Sequence, residues 1–528
     1  AITEDFAHPR GPSFDALDAG ALTDASARTS TEEVLKEMAL HGVSISELAK
    51  DGSGQFQFVQ ASPYNRRITV STEMDISGPV ATKPELILTA YTAQTGKTTK
   101  ARGTLNNCAN GYTPWGTYLT CEENWAGYFG QNGTVTAEQT RYGIARHGFQ
   151  NLRWYSAPDT DDQLISRFQL EPTGSDASED FRNEANSFGY VVEIDPYDPT
   201  STPKKRTALG RLAREGVWPR AVVGKKLALY MGDDNRNDYF YKFVTDAVFS
   251  GSEARQNNLL DNGTLYVAKF NADGTGSWLP LTVAALGDAV NFPTQADICV
   301  KTRQAGDAAG ATKMDRPEWA AVNPVNGEVY LTLTNNSNRR PDGTALSGSQ
   351  LLTDAANPRA YEDSRDAVAP FISSSTSRGN VNGHIIRLRE NGDDPAATSF
   401  VWDIYLLGAQ ADASGANVNV SGLTGDNDFS SPDGLWFARE SSDARGLLWI
   451  QTDDGAYVDQ TNCMLLAALP GAVGDGAVAT LSNTVSGVTA SQATVIGKPA
   501  TPDLLRRFLV GPKGCEITGI DITPDGKT

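Results

Sequence analysis

The sequence is poor in histidine, in cysteine and in long apolar runs. Its 528 residues include four histidines, which are widely scattered, and five cysteines. The sequence therefore has too few histidines in proximity to predict a histidine-built zinc site or a Ser-His-Asp triad. No cysteine pair has the CxxC spacing of a structural zinc site. No stretch approaches the roughly 20 apolar residues that a membrane-spanning helix needs. The GxSxG, P-loop and dinucleotide-binding motifs are absent in any usable form.

Positive charge is scarce relative to negative charge. The chain has 64 acidic and 45 basic residues and a net charge of −19. Such a surface disfavours nucleic acid as a partner and attracts cations. The composition is poor in lysine and rich in Asn, Asp, Gly and Thr, and the chain begins AITEDF without a methionine. These features are typical of an exported bacterial protein whose leader has been removed.

Strand patterns dominate the chain. β-branched and aromatic runs such as GYVVEID, KKLALYMGD and GLLWIQTD are bounded by Gly, Asp, Asn or Pro. The clearest helical pattern is TSTEEVLKEMALHGVSISELA, where Ser30 or Thr31 is the predicted cap and Gly42 the predicted end. A turn followed by a strand recurs without a strict period in NPVNGEVYLTLTNN, SPDGLWFARE and RGLLWIQTDDG. The sequence therefore predicts a mainly β protein, a six-bladed β-propeller with long decorated loops and a few short helices.

The domain organisation follows from the same patterns. We predict an N-terminal extension with a short helix over residues 1–54 and a single propeller domain over residues 55–528. Insertions near 126–185, 245–310 and 340–382 are rich in Gly, Ser, Asp and Ala. They are typical of surface excursions, and a lid is the alternative.

Acidic residues group in the loops beside the predicted strands. Loops at one mouth of a propeller converge from every blade, and hard cations such as calcium take six to eight oxygen ligands. Any one group taken alone is better explained as a solvated turn acid, and the groups indicate a site only when taken together. The candidate metal ligands are Glu215, Asp233, Asp234, Asp315, Glu318, Asp433 and Glu516, and Asp453 and Asp454 end a further strand.

The phrase TCEENW places the thiol of Cys121 directly before Glu122 and Glu123. Two adjacent carboxylates disfavour a thiolate unless a metal holds it. A thiolate beside carboxylates indicates a transition metal such as iron, with all three residues as ligands. The alternative is that Cys121 is a small buried apolar residue or is disulfide-bonded to Cys108.

Long phrases from about residue 100 to the C terminus, in the same order, resemble the PhoX-type bacterial alkaline phosphatases. They include TLNNCANGYTPWGTYLTCEENW, GRLAREGVW, YMGDDNRNDYFYKFV, MDRPEW, FSSPDGLWF and RFLVGPKGCEITGIDITPDG. The resemblance implies a β-propeller phosphatase that is periplasmic or secreted after twin-arginine export. It also implies iron and calcium bridged by an oxo group, with Cys121 of TCEEN as an iron ligand and Glu215 of AREG as a metal ligand.

The expected reaction is the hydrolysis of small phosphate monoesters by a metal-bound oxo or hydroxo nucleophile. A phosphomonoester is a dianion, and the planar guanidinium of arginine bonds two phosphate oxygens at once. The candidate phosphate contacts are Arg214, Arg316 and Arg339, each of which also fits a structural role beside its neighbouring acid. We expect a monomer. Two alternatives remain, a calcium-dependent propeller lactonase or esterase and a non-enzymatic binding propeller stabilised by calcium.

Overall fold

The computed structural model describes residues 2–5, 27–145, 152–342, 346–367, 373–439, 443, 445–453, 461–513 and 515–523. Parts of the predicted N-terminal extension and of the predicted insertions near 126–185 and 340–382 lie outside these residues, as does Asp454. The chain forms two compact units. Unit 1 is Ala1–Glu215, Thr245–Leu265 and Leu281–Ala309, and unit 2 is Gly216–Val244, Tyr266–Pro280 and Gly310–Thr528. The predicted division into an extension and a single propeller domain stays a prediction.

Strands make up most of the regular structure, as the β-branched and aromatic runs predict. Strands β1 to β15 are, in order, Ile2–Asp5, Gly42–Ile45, Leu48–Lys50, Phe56–Phe58, Arg66–Ile68, Glu73–Ser77, Lys100–Arg102, Asn107–Tyr112, Tyr118–Glu122, Val191–Ile194, Lys204–Arg206, Trp218–Arg220, Lys226–Gly232, Phe240–Val248 and Gly263–Phe270. Strands β16 to β30 are Thr275–Pro280, Pro317–Val322, Val329–Leu333, Arg339–Arg340, Leu351–Leu352, Tyr361–Arg365, Ser375–Gly379, His384–Glu390, Ser399–Leu407, Pro432–Phe437, Leu448–Thr452, Met464–Ala468, Ala477–Val485, Val488–Ile496 and Leu505–Val510.

The helices are short. Helices α1 to α6 are Thr31–Ala39, Ala90–Thr95, Ala137–Arg141, Val283–Leu286, Gln295–Val300 and Thr302–Ala309. Single 3-10 turns are Pro79–Thr82, Pro84–Ile87, Trp125–Tyr128, Trp154–Ser156, Ser166–Phe168, Glu184–Ser187, Thr207–Leu209, Leu259–Asp261 and Asn391–Asp393. Helix α1 begins where the sequence predicts, because the Ser30 side chain accepts a hydrogen bond from the Glu33 N–H at 3.2 Å. Among the described residues no helix combines the length and apolarity needed to cross a membrane.

Unit 1 is built around one six-stranded sheet, in the order β7-β6-β11-β10-β9-β8. Smaller sheets join β1, β2 and β5, and β3 with β4. An aromatic core that includes Trp125, Phe129, Trp154 and Phe168 is fully buried. Strand β9 lies between β8 and β10 and is buried along its whole length, which places the TCEENW phrase inside this unit.

Unit 2 contains most of a larger antiparallel sheet, in the order β12-β13-β14-β15-β16-β24-β23-β18-β17, with β29 and β28 attached to β24. Strand β17 at one end also contacts β13 near the other end, so the sheet nearly closes on itself. A second, four-stranded antiparallel sheet has the order β25-β26-β27-β30. The prediction of a mainly β, propeller-like fold with few short helices is confirmed, and the number of six blades stays a prediction.

A buried ion pair lies within the apolar core of unit 2. The Lys242 ammonium donates to Glu390 Oε1 at 2.9 Å, and the Tyr230 hydroxyl and the Trp278 indole donate to the same carboxylate at 2.7 and 3.1 Å. Burial lowers the pKa of Lys242 to about 8 and raises the pKa of Glu390. Two aromatic donors and one ammonium thus compensate the desolvation of a single carboxylate.

Removing one partner of this pair should destabilise the protein strongly. We expect Lys242→Met to lower the free energy of unfolding by about 3–5 kcal/mol, because Glu390 is left buried without its cation. Chemical denaturation followed by tryptophan fluorescence measures the change. Lys269→Met, at an exposed lysine, is the matched control and should change stability by less than about 0.5 kcal/mol. Equal stability of the two variants would contradict the assignment.

Candidate functional site

Three β-hairpins share the same break in strand pairing. In each hairpin the first strand has a bulge near its start, where two residues of that strand oppose one residue of the second. The flanking pairs are Asn107 with Glu122 and Asn110 with Thr120, Pro317 with Leu333 and Ala320 with Leu331, and Pro432 with Thr452 and Leu435 with Ile450. The residues inside the bulges include Cys108, Glu318 and Asp433. A bulge re-aims a side chain out of the regular alternation of a strand, so each hairpin presents one ligand-type side chain in the same way.

A residue with left-handed backbone geometry precedes each bulge. The φ angles of Asn106, Arg316 and Ser431 are 47°, 58° and 48°. Non-glycine residues adopt this region rarely and at a cost in free energy, and such strain concentrates at functional sites.

The carbonyl of each left-handed residue forms a hydrogen bond to the opposite side of its own hairpin. It accepts a hydrogen bond from the N–H of the first residue after the second strand, which is Glu123 at 3.0 Å, Thr334 at 3.2 Å and Asp453 at 3.0 Å. We call these three positions the post-strand positions. The cross-strand bond holds both the strained residue and the post-strand residue in place.

In unit 1 the first bulge assembles a thiol and two carboxylates. The ligand atoms of Cys108, Glu123 and Glu215 all lie within 4.8 Å of one another, and Cys108 Sγ lies 3.4 Å from Glu215 Oε2. Both glutamates are buried and Cys108 is exposed. A soft sulfur beside two hard oxygens suits a transition metal such as iron. We call these three residues the thiol–carboxylate group.

Cys121 and Glu122, two of the predicted metal ligands, lie outside this group. Glu122 is fully buried, and its carboxylate accepts hydrogen bonds from Lys205 Nζ at 2.7 Å, Gly189 N at 2.8 Å and Tyr190 N at 3.2 Å. A carboxylate with both oxygens bonded in this way has a structural role in the sheet.

The correction for cysteine follows from the positions of the two thiols. Successive side chains of a strand point to opposite faces, so Glu122 points away from both Cys121 and Glu123. Cys121 is buried opposite Val191 in the middle of the sheet, and Cys108 and Cys121 are both thiols. The thiol that lies within 4.8 Å of the two glutamates is that of Cys108, which the sequence analysis names only as a disulfide partner. Of TCEENW, Glu123 joins the group, and its N–H is held by the carbonyl of Asn106 directly before the bulge that carries Cys108.

In unit 2 the other two bulges contribute to a second group. The Arg316 guanidinium contacts Asp234 Oδ2 at 2.7 Å and Glu318 Oε1 at 3.2 Å, and ligand atoms of Glu318 and Asp433 lie within 4.8 Å of each other. Burial opposes the charge on Arg316, but Asp234 and Glu318 raise its pKa well above the usual value. We call Asp234, Arg316, Glu318 and Asp433 the acid–arginine group.

Further acids surround this group. Burial and the charge of Asp234 raise the pKa of Asp453, although Arg316 opposes the shift. The pKa of Glu516 is raised to about 7 by the protein atoms that crowd its carboxyl and by Asp453, while the residue keeps an exposed surface. Asp234 Oδ1 is buried and has no hydrogen-bond partner among the described residues. A divalent cation would compensate this excess negative charge and bond the unsatisfied oxygen.

Asp233 is buried in the same turn as Asp234. Its N–H donates to the Tyr239 carbonyl at 3.2 Å and its own carbonyl accepts from Asn235 N at 2.8 Å, so its backbone shapes the turn that carries Asp234.

Asp315 and Arg339 form a buried network that differs from their predicted roles. Asp315 Oδ1 accepts from Arg339 Nε at 2.6 Å and from Asn336 Nδ2 at 2.8 Å, and its Oδ2 accepts from Asn380 Nδ2 at 3.0 Å. Arg339 also donates to the Leu352 carbonyl at 2.7 Å. With both carboxylate oxygens bonded, Asp315 is a structural anchor rather than a metal ligand, and Arg339 is its partner rather than a phosphate contact.

Arg214, the third predicted phosphate contact, is also structural. Its side chain is fully buried and donates to the carbonyls of Leu209 and Gly210 at 3.0 and 2.7 Å. Arg316 differs, because 23% of its side chain is exposed against 1% for Arg339. Of the three predicted arginines, Arg316 has the most exposed side chain.

His384 extends the Asp315 network. Its Nε2 donates to the Ala356 carbonyl at 2.8 Å, so its Nδ1, 2.9 Å from Asn380 Nδ2, accepts in the neutral ring. Burial lowers the pKa of His384 to about 4, more than Asp315 raises it. The histidine is thus a neutral packing residue, as its position at the start of a strand suggests.

Two comparisons with known proteins find matches over nearly the whole chain. The family model described as Alkaline phosphatase PhoX matches residues 15–528. Among solved structures, the chain is similar to Pseudomonas fluorescens PhoX in complex with vanadate, a transition state analogue. The identity is 36%, the TM-score is 0.72, and the match covers 94% of this chain and 75% of that chain. A comparison with curated proteins finds no match.

The buried histidine should make stability depend on pH in a defined window. The unfolded chain binds a proton at His384 below a pH of about 6.5, whereas the folded protein does so only near pH 4. Stability from this residue is therefore complete above pH 6.5 and falls by roughly 3 kcal/mol as the pH drops to 4. Denaturation of the wild type and of His384→Asn across this range measures the difference. Parallel pH profiles for the two proteins would refute this role.

Proposed function

The chain belongs to the PhoX family of alkaline phosphatases and is a phosphomonoesterase, and we propose that its thiol–carboxylate group binds iron and its acid–arginine group binds calcium. The family is metal-dependent. The observation that carries the proposal is the repeated bulge, which presents a thiol in one hairpin and a carboxylate in each of two others.

The donor atoms support the choice of each metal. Cys108 offers a thiolate sulfur next to two carboxylates, a mixed set that favours iron over calcium. Glu318, Asp433 and Asp234 offer only hard oxygens, which calcium prefers. The buried, unsatisfied Oδ1 of Asp234 fits the same role. The bridging oxo group implied by the sequence resemblance stays part of this prediction.

When bound, iron and calcium would supply the Lewis-acid chemistry and positive charge for displacement at phosphorus. The residues of the chain then have separate tasks. Arg316 is held by Asp234 and Glu318 on one side and is partly exposed. Its guanidinium is permanently charged, so we propose that it orients the phosphate dianion.

Local positive charge is essential because the whole protein carries a charge of −19. A dianionic substrate approaches such a surface only where cations reverse the potential. Pseudomonas fluorescens PhoX binds vanadate as a transition state analogue. By similarity, we propose that small phosphate monoesters bind beside Arg316. The lactonase and binding-propeller alternatives lose their basis, because the family match covers nearly the whole chain.

We also propose that the protein is exported by the twin-arginine route to the periplasm or the medium and acts as a monomer. The composition, poor in lysine and rich in Asn, Asp, Gly and Thr, supports export.

The proposed metals and activity can be tested together. We expect the purified protein to hydrolyse a generic aryl phosphate and to contain both iron and calcium by elemental analysis. Chelation of calcium should abolish turnover and lower the melting temperature, because the acids repel one another without it. Zinc as the one metal found, or full activity after prolonged chelation, would contradict the assignment.

The cysteine assignment has its own test. We expect Cys108→Ser to lose iron and to lower turnover by on the order of 100-fold, because a neutral hydroxyl is a weak iron ligand. Cys121→Ser, the matched control, should keep its iron and affect mainly stability through burial of a polar group. Iron content, melting temperature and turnover of both variants decide the matter. Iron loss in Cys121→Ser with iron retained in Cys108→Ser would restore the assignment suggested by TCEENW.

A further inference from the structure

The post-strand positions carry two acids and one residue that sequence patterns do not single out. In the first hairpin the position is Glu123, which lies within 4.8 Å of the bulge residue Cys108. In the third it is Asp453, whose pKa responds to Asp234 and Arg316 of the acid–arginine group. In the second hairpin the equivalent residue is Thr334, which follows strand β18.

The backbone of Thr334 is held on both sides. Its N–H donates to the Arg316 carbonyl at 3.2 Å. Its carbonyl packs against Gly383, where an added Cβ would lie 2.1 Å from the Thr334 oxygen and where φ is 65°. Threonine is β-branched and has few χ1 rotamers. The hydroxyl is therefore confined to a small region.

That region lies on the side of the sheet that faces Asp433. Thr332, two residues earlier, donates its hydroxyl to the Asp433 carbonyl at 2.6 Å and accepts from Trp319 N at 3.0 Å. Residues two apart in a strand share a face, and the hydrogen bond from Thr334 to Arg316 continues the pairing past Leu333. Thr334 thus lies on the face that Thr332 presents to Asp433.

The Thr334 hydroxyl is buried without protein compensation. The residue is fully buried, and its Oγ1 has no hydrogen-bond partner in the part of the chain that the structure describes. Other buried threonines of these hairpins are satisfied, since Thr120 accepts from Asn107 Nδ2 and Thr452 accepts from Met464 N. Buried hydroxyls are normally bonded, so an exception at this position points to a bound group.

We propose that the Thr334 hydroxyl is a neutral oxygen ligand, directly or through one water, of the cation that Glu318 and Asp433 hold. Calcium takes six to eight oxygens, and neutral oxygens complete its shell without adding more negative charge. The hydroxyl proton can at the same time donate to a neighbouring carboxylate oxygen. This inference rests on the proposed function for the presence of the cation.

The test uses Thr334→Val, which keeps the shape and removes the hydroxyl, and Thr334→Ser, which keeps the hydroxyl. The full-length protein is titrated in calcium–chelator buffers, and bound calcium and melting temperature are measured against free calcium. We expect Thr334→Val to need roughly tenfold more free calcium for half-occupancy, with its iron content unchanged, and Thr334→Ser to stay within about twofold of the wild type. Thr489→Val, at an exposed threonine, is the control for the substitution itself.

Several outcomes would overturn the inference. The inference is overturned if Thr334→Val binds calcium as tightly as the wild type does. If calcium binding is unchanged and only KM for the aryl phosphate rises, the hydroxyl contacts the substrate instead, and the inference is overturned as well. Equal weakening in the serine variant overturns it as well. If Thr334→Val does not fold, the smaller Thr334→Ala gives the same comparison. A wild type that binds no calcium and hydrolyses no phosphate ester removes the proposed function along with the inference, whereas an active, calcium-binding wild type with unaffected variants removes the inference alone.

Discussion

In three hairpins, regular strand pairing is interrupted by a bulge at the residue that carries a ligand-type side chain. The proposed chemistry of the protein depends on this interruption. In an unbroken ladder, Cys108, Glu318 and Asp433 would alternate with their neighbours between the two faces of a sheet. The bulge turns them out of that alternation. Its cost, a left-handed residue of about 1–3 kcal/mol, is offset locally by the hydrogen bond to the post-strand residue.

Hydrogen bonding separates structural acids from chemical ones. Glu122 and Asp315 are buried, as are the proposed ligands Glu215, Glu318 and Asp433, but amide, lysine or arginine donors occupy both oxygens of each of the first two. The acid–arginine group has a single arginine among three carboxylates. The charge that remains is unfavourable at short range and becomes favourable only with cations in place. Burial alone would have failed to separate the two kinds of acid.

The fold class could be predicted because it follows from local pattern. Alternating β-branched and aromatic runs ended by turn residues predict strands whatever their partners are, and Ser30 predicts the start of the first helix. The group of candidate acids was also largely recognisable, since Asp234 lies in the turn after a strand and Glu318 and Asp433 lie at the starts of strands.

The errors concern properties that the order of residues does not contain. Neighbouring letters in TCEENW suggested a common ligand set, but strand alternation turns Glu122 to the other face, and the thiol near Glu123 is that of the distant Cys108. Asp315 and Arg339 match motif chemistry and yet bond each other, because distant Asn336 and Asn380 complete their network.

A sequence signal for Cys108 did exist. The phrases NNC, RPE and SPD each place a left-handed residue two positions before the ligand, and turn-prone Asn and Ser with two prolines mark the pattern.

At the opposite end of each hairpin, the number of residues between the two strands differs, with 113–117, 323–328 and 438–447 as the intervening segments, while the bulges are alike. Loop length can therefore vary between relatives without moving a ligand, whereas one residue inserted between bulge and loop would reverse the facing of every side chain in between. Each hairpin thus has one end where the length of the connection can change and another end, beside the bulge, where an inserted residue would displace the ligand.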